Sequence, residues 1–333
     1  MDLRICTYNI EWFNHLFNKD NSLKTSRKDQ ERFNAIGKVL TEINPDLLGI
    51  VEAPNTSVDR TESAKAKLEK FAQSKNLPIS RAVTGFISGG TQEIAILYNP
   101  TRLTVEHAPG GSAKSKSNPP FDGEFFYDTD DDRIKEVYKH YRPPLEANVK
   151  ELTTGKEFKI IVAHTKSKGI FNNVDILHWE RESHRNRLKL LAECEWIRRR
   201  IDEWLDLKFD VVVMGDFNDG PAMDYYEFKY GRSAVEIIIG DLFQPEKILR
   251  CFTNRPRWTS NGWKPSTARF KDRMTEDYVN VLIDHILVSS GIKVVDNSPL
   301  IIWNPFENKN LEHLKDDLLK ASDHFPVSLD LKL

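Results

Sequence analysis

Apolar, β-branched runs that halt at a polar residue beside a turn recur from one end of this 333-residue chain to the other. The clearest is Val211-Val212-Val213-Met214-Gly215-Asp216-Phe217-Asn218, which reads as a buried strand reaching a sheet edge at its glycine. Side chains alternate across a strand, so Asp216 and Asn218 are expected on one face and Phe217 on the other. Leu3 to Glu11 reads as a strand presenting Asn9 and Glu11 at period two. Asp46 to Glu52 is a buried strand closed by a carboxylate, and Ala53-Pro54-Asn55 turns the chain after it. Phe158 to Lys166 delivers His164, Val281 to Val288 carries Asp284, and Ser322-Asp323-His324-Phe325-Pro326 opens a last strand at Val327. His285 falls on the opposite face from Asp284 and is expected to be a packed or surface residue.

Helical periodicity marks other stretches. From about 180 to 205, Leu190, Cys194, Ile197, Ile201 and Trp204 recur at spacings of three and four, predicting a buried stripe. Arg181, Arg185, Arg187, Lys189, Arg198, Arg199 and Arg200 surround it and read as a solvated face. Asn310 to Lys320 reads as a short amphipathic helix through Leu311, Leu314 and Leu318. Two insertions, near 107–140 and 255–275, break the pattern and are expected to be mobile. The first combines a Gly/Ser/Lys-rich stretch with an acidic run, Asp128 to Asp132, and reads as a solvated loop. In the second, Arg255, Arg257, Trp258, Trp263, Lys264, Arg269, Lys271 and Arg273 interleave cations with aromatics, which suits either nucleic-acid contact or an ordinary packed loop. Lys166 to Asn173 is a candidate substrate loop for the same reason.

One polar strand end is ordinarily a turn residue. When five or six strands each place Asp, Asn, Glu or His there, a shared site is the better account, because burying unpaired charges separately costs several kcal/mol each, on the order of a lost ion partner. An Asp beside an Asn offers an anionic ligand for a hard cation and an amide to hold a water or a phosphate oxygen.

The ordered set Thr7 to Glu11, Glu52, Gln92 to Tyr98, Tyr141-Arg142-Pro143-Pro144, Ala163-His164-Thr165, Gly215 to Asn218, Ile283-Asp284-His285 and Ser322-Asp323-His324 resembles the endonuclease/exonuclease/phosphatase superfamily. That superfamily includes pancreatic deoxyribonuclease, repair exonucleases, neutral sphingomyelinases and inositol polyphosphate 5-phosphatases. The resemblance implies a single domain over 1–333 of the α/β (α+β) class, a four-layer α/β/β/α sandwich of two packed mixed sheets flanked by helices. It implies a hydrolase of phosphate esters using Mg²⁺, with Mn²⁺ an acceptable substitute. Matched position by position, Glu52, Glu11 and Asp323 resemble metal ligands, and Asn9, Arg142 and Asn218 phosphate-binding groups. Asp216 and Asn218 look like the pair that activates water. His324, oriented by Asp284, and His164, oriented by Glu93, resemble the two catalytic histidines.

A metal carboxylate site and a histidine pair suit in-line attack on a phosphodiester. Repair-type members carry a Tyr-Val-Pro-like stretch where this chain has Val162 to Lys166, and 5-phosphatases carry Pro-Ala-Trp-Cys-Asp-Arg where it has Val281-Leu282-Ile283, so both branches are disfavoured. The expected activity is a nuclease acting on DNA. The alternatives are the same chemistry on a phospholipid head group or small phosphorylated metabolite, and, from another class, a catalytically inactive binding module.

Composition changes little. Lys plus Arg number 48 against 50 Asp plus Glu, so no uniformly basic coat covers the chain. No apolar stretch approaches membrane-spanning length. Cys6, Cys194 and Cys251 form neither a disulfide framework nor a zinc pattern, and the first strand starts too near Met1 for a signal peptide, so a cytoplasmic location is expected. Nucleic acid is the expected partner, and no protein partner is inferred.

Overall fold

The alternating runs become strands because each has one apolar face to bury, and the periodic runs become helices that cover what the strands leave open. A computed structural model describes residues 2–88, 90, 92–170, 176–220, 228, 231–252, 265–271, 276–295 and 300–333. In chain order the elements are β1 Asp2–Asn9, α1 Arg27–Ile43, β2 Leu47–Ala53, α2 Ala64–Ser74, β3 Arg81–Thr84, β4 Glu93–Tyr98 and β5 Leu103–His107. There follow β6 Phe125–Tyr127, β7 Glu136–Tyr138, β8 Leu145–Glu151, β9 Glu157–His164, α3 Ile176–Asp206, β10 Val211–Asp216, α4 Ala234–Ile239 and β11 Arg250–Cys251. The last are β12 Ala268–Lys271, β13 Tyr278–Val281, β14 Asp284–Val288, β15 Lys293–Val294, β16 Ile301–Ile302, α5 Lys315–Ala321 and β17 Val327–Lys332.

Two large mixed sheets result, one ordered β15-β17-β1-β2-β4-β3 with β16 also on β17, the other β11-β14-β10-β9-β8-β5. Their facing sides share one apolar interior, in which Leu3, Ile5, Val51 and Ile96 meet Val162, Met214 and Ile286. The sheets pack tightly at Gly49, where a Cβ would lie 2.5 Å from Met214 Cε. On the outside, α1 and α2 cover the first sheet through Phe33, Ile36, Leu68 and Phe71, while α3 and α4 cover the second through Trp196, Ile197 and Ile238. This is the expected α/β/β/α sandwich. Helix α1 starts at Ser26, whose side chain accepts from the Asp29 N–H as an N-cap should.

The predicted stripe of α3 is buried at all five positions. Two of the arginines read as solvated are not. Arg200 is fully buried in a pair with Glu146, donates to the Pro119 carbonyl at 2.9 Å and lies over the Phe121 ring. Arg198 is 7 % exposed, pairs with Asp202 and donates to the Ile238 carbonyl. For Arg200 the reason lies in segment 107–140, which inserts Phe121 and Phe125 against Trp196 and so covers a second face of the helix, whereas Arg198 is covered from α4 and the chain after it, where it also reaches the Ile239 and Lys247 carbonyls. Asn310 to Lys320 splits into a 3-10 turn, Lys309–Leu314, followed by α5, with Leu311, Leu314 and Leu318 buried as expected. Of the 255–275 stretch, Arg255, Arg257, Trp258, Trp263, Lys264 and Arg273 lie outside the described residues, as do residues 171–173 of the loop after His164.

Candidate active site

Strand alternation and register bring the polar side chains together. Val212 and Met214 of β10 point between the sheets, so Asp216 does too, and the same parity carries Ile160, Val162 and His164 of β9 and Ile286 and Asp284 of β14. Register then aligns them: β9 runs parallel to β10 with Asp216 opposite His164, and β14 runs antiparallel with Asp216 opposite Asp284. His164, Asp216 and Asp284 therefore form one row across the end of the second sheet. Asn9, ending β1 on the inward parity of Leu3 and Ile5, reaches over from the first sheet and donates from Nδ2 to Asp216 Oδ2 at 3.1 Å.

His324 enters from the segment before β17. Its approach is fixed by Ser322, whose hydroxyl donates to the Asn9 carbonyl at 2.7 Å and accepts from the His324 and Glu11 N–H groups at 3.2 and 3.3 Å. His324 Nδ1 sits 2.9 Å from Asp284 Oδ2. Its Nε2 lies 3.9 Å from both Asp216 Oδ2 and Asp323 Oδ1. His164 Nε2 is 3.5 Å from Asp216 Oδ2. Ligand-capable atoms of Asp216, Asp284 and His324 all fall within 4.8 Å of one another, and all three residues are buried.

That burial sets the charges. Burial pushes the Asp216 carboxyl up, Asp284 pushes it further, and His324 with the donors from Asn218 and Asn9 pulls it back, to about 6. Burial opposes a proton on His324, but Asp284, Asp216 and Asp323 outweigh it and raise the imidazole to about 10. Burial, with Arg142 and His324 nearby, holds His164 well below its usual value. One histidine is thus a cation at neutral pH and the other is neutral.

Alternation stops at Asp216. Asn218 takes left-handed backbone (φ 49), so it does not continue the Asp216 row; its N–H donates to Asp216 Oδ1 at 2.8 Å and its side chain to the Thr165 carbonyl at 3.0 Å. Glu11 likewise lies past the end of β1, in a turn. Arg142 donates to Gln92 Oε1 at 2.9 Å and to the same Thr165 carbonyl at 3.3 Å, leaving a buried Nε with no hydrogen-bond partner among the described residues. Glu93 does not orient His164: both its oxygens are taken by Thr56, at 2.7 and 3.0 Å, and His164 Nδ1 has no partner among the described residues. Burial pushes the Glu93 carboxyl to about 7. His285 is buried, stacks on Phe217 and bonds the Asp219 carbonyl at 2.9 Å, a packed residue as expected.

The three carboxylates expected to hold a metal sit beside this row, outside its tightest cluster. Glu52, at a bulge with left-handed backbone (φ 57), accepts from the Trp12 N–H at 2.8 Å. Glu11 and Asp323 line a cleft of about 270 Å³ with Arg269 and Tyr278. Burial raises the Glu11 carboxyl, and Asp323 and Glu52 raise it further against the pull of Arg32. Among the described residues, Asn9 Oδ1 and Asp323 Oδ1 are buried oxygens with no hydrogen-bond partner. Crowded carboxylates and orphaned oxygens form a hard donor set that fits a divalent cation.

Two contributors were given no role from the sequence, Thr165, which stands in the Ala163-His164-Thr165 motif, and Glu193. Thr165 ties the β9 end to β10, its N–H donating to the Asp216 carbonyl at 3.1 Å and its hydroxyl to the Phe217 carbonyl at 2.7 Å. Glu193, 3 % exposed, accepts from the Lys166 N–H at 2.6 Å. The signal for it was present: an acid three after Leu190 and four before Ile197, inside an apolar stripe.

A model of the Endonuclease/Exonuclease/phosphatase family matches residues 6–324. Among solved structures, the chain is similar to truncated Caenorhabditis elegans TDP2, at 12% identity over 100% of this chain and 98% of that one, with a TM-score of 0.52. It is similar to D. rerio TDP2 complexed with single strand DNA product, at 12% identity over 100% and 99%, TM-score 0.51. It is also similar to an endonuclease/exonuclease/phosphatase from Bacteroides vulgatus, at 18% identity over 100% and 99%, TM-score 0.51. No curated protein matches the sequence significantly. At such identities the likeness to these structures concerns the fold alone.

Proposed function

Because the chain belongs to the endonuclease/exonuclease/phosphatase family, whose members hydrolyse phosphoric esters, we propose that it is a Mg²⁺-dependent phosphodiesterase that cleaves nucleic acid, with DNA as its substrate. The observation that carries this reading is the buried row His164, Asp216 and Asp284 closed by Asn9 and His324.

Each group has a task its surroundings suit. Asp216, aimed by the donors from Asn9 and Asn218, accepts the proton of the attacking water. His324, kept cationic by Asp284, presents Nε2–H to a phosphoryl or leaving oxygen. Neutral His164 and Arg142 flank them, Arg142 as the anchor for phosphate. Glu52, Glu11, Asp323 and Asn9 Oδ1 would hold the metal, with Mn²⁺ able to replace Mg²⁺. When bound, the ion neutralises charge on the phosphate oxygens. DNA as substrate draws support from the single strand DNA product bound by the D. rerio relative.

The test is a screen of purified protein against duplex DNA, single-stranded DNA, RNA, sphingomyelin and simple phosphodiesters, with Mg²⁺ and with EDTA. DNA cleavage abolished by EDTA and by Glu52→Gln is the expected result. Sphingomyelin turnover without DNA cleavage would transfer the chemistry to a lipid head group. Inertness towards the whole panel would refute the assignment.

A further inference from the structure

Immediately after Glu11 the chain makes an unusual choice of residue. Trp12 adopts left-handed backbone, φ 48 and ψ 43, a conformation that asparagine and glycine take readily and a bulky aromatic does not. Among the described non-glycine residues with positive φ, Trp12 is the one aromatic. Its N–H donates to Glu52 Oε2, so the turn itself has a structural purpose that any residue with an N–H could serve. The side chain has none of the usual ones. Phe13 and Leu16, in the 3-10 turn that follows, are buried in the core, whereas Trp12 is 41 % exposed. Its indole is stacked on His15, with ring centroids 5.0 Å apart and planes 7° from parallel, and His15 is itself exposed.

A strained backbone that projects an indole into solvent, held rigid by a second ring, next to two carboxylates of the site, contributes little to the core and is well formed to receive another flat ring. We infer that Trp12 and His15 form a stacking platform for a nucleobase adjoining the scissile phosphate. The inference rests on the phosphodiesterase reading and names how a polynucleotide is gripped. It also answers a difficulty. With 48 basic against 50 acidic residues, the chain has no overall basic charge to hold a polyanion, and base–aromatic stacking adds affinity for single strands of any sequence.

The test compares steady-state kinetics, with Mg²⁺, on a single-stranded oligothymidylate and on an oligomer of the same length in which tetrahydrofuran units replace every nucleoside, so that backbone is kept and bases are lost. The wild-type protein should show a KM lower for the base-bearing oligomer by roughly 5- to 150-fold, the range for one stacked base. Trp12→Ala should collapse that ratio towards one through KM, and Trp12→Phe should retain part of it. His15→Ala, which removes the supporting ring and leaves the turn, should lower the ratio as well, and it decides the matter if Trp12→Ala fails to fold.

A ratio near one in the wild-type protein, or one unchanged in Trp12→Ala, overturns the platform while leaving the hydrolase assignment intact. A fall in kcat with an unchanged ratio does so too, marking Trp12 as a support for Glu52 only. Failure of the wild-type protein to cleave either single-stranded oligomer would overturn the platform, and the nuclease reading falls with it only if duplex DNA and RNA are left uncut as well.

Discussion

Asp284→Asn removes one charge from the site and almost no shape. Asp284 is 1 % exposed, sits opposite Asp216 in the strand register and holds His324 Nδ1 at 2.9 Å, while its own N–H donates to the Thr267 hydroxyl and is untouched by the change. A hydrogen bond between charged partners contributes about 1.5–3 kcal/mol, so the imidazolium should lose about one to two pKa units of support. If His324 stabilises the transition state as a cation, kcat on a phosphodiester should change little at pH 7, where the variant's imidazole still holds its proton, and should fall by roughly 5- to 50-fold at pH 10 with little change in KM. The alkaline limb of the kcat profile should move to lower pH. Stability carries the same signature in EDTA. The His324 pKa is raised to about 10, so its ion pairs stabilise the fold fully below the unfolded value near 6.5 and are lost as pH rises through 10. The deficit of the variant in thermal melts should therefore be largest near pH 6 and shrink towards pH 10, where removing a carboxylate beside Asp216 relieves repulsion. A kcat within twofold of wild type at pH 10, or a stability deficit that grows with pH, would refute this account of the pair.

Gly215→Ala should cost about 3 kcal/mol or more in urea unfolding, because φ is 138 and a Cβ there would sit 2.0 Å from the Ala163 carbonyl oxygen; a loss below about 1 kcal/mol would mean the strands can part without penalty. Glu193→Ala should raise KM by about tenfold, a shift of roughly 1.4 kcal/mol, by freeing the Lys166 N–H and with it the Thr165 carbonyl that holds Arg142, whereas Glu193→Gln, whose amide oxygen can still accept, should restore most of the affinity. Equal effects of the two substitutions would point to the charge of Glu193 and away from its acceptor. Arg200→Met should destabilise by about 3–5 kcal/mol by stranding Glu146, and the double variant with Glu146→Leu should recover much of that loss in chemical denaturation.

How far the sequence disclosed this molecule depended on the range of the interaction. Parity within a strand is local, and it separated Asp284 from His285, which packs on Phe217; the strand ends at His164 and Asp216 were legible as apolar runs that halt at a polar residue. The interior stripe of α3 was legible for the same reason. Parity failed where strands ended. Asn218 and Glu11 were extrapolated along strands that stop at Asp216 and Asn9, because the left-handed turn at 218 and the tether from Ser322 to Glu11 answer to neighbours distant in sequence. Partner choice was less legible still. Glu93 goes to Thr56, and Arg200 to Glu146 in the core, since a charged side chain takes whichever partner the packing of layers delivers.

The charge balance of the site leads to one more consequence. Glu11, Glu52, Asp216, Asp284 and Asp323 stand against His324, Arg142, Arg32 and Arg269, and each raised carboxyl among them is raised by burial and by another carboxylate. A phosphodiester brought to such a place adds negative charge to an excess of it, and two charges about 4 Å apart repel by about 4 kcal/mol at an effective dielectric near 20. Screening by monovalent salt does little inside a buried row. A divalent cation held by Glu52, Glu11 and Asp323 reverses the sign where the ester must sit. Oligonucleotide affinity should accordingly rise with Mg²⁺ and should not rise when Na⁺ supplies the same ionic strength. Equal binding in the two salts would mean that the carboxylates are neutralised from within the chain, and the ion would then have no place in substrate binding.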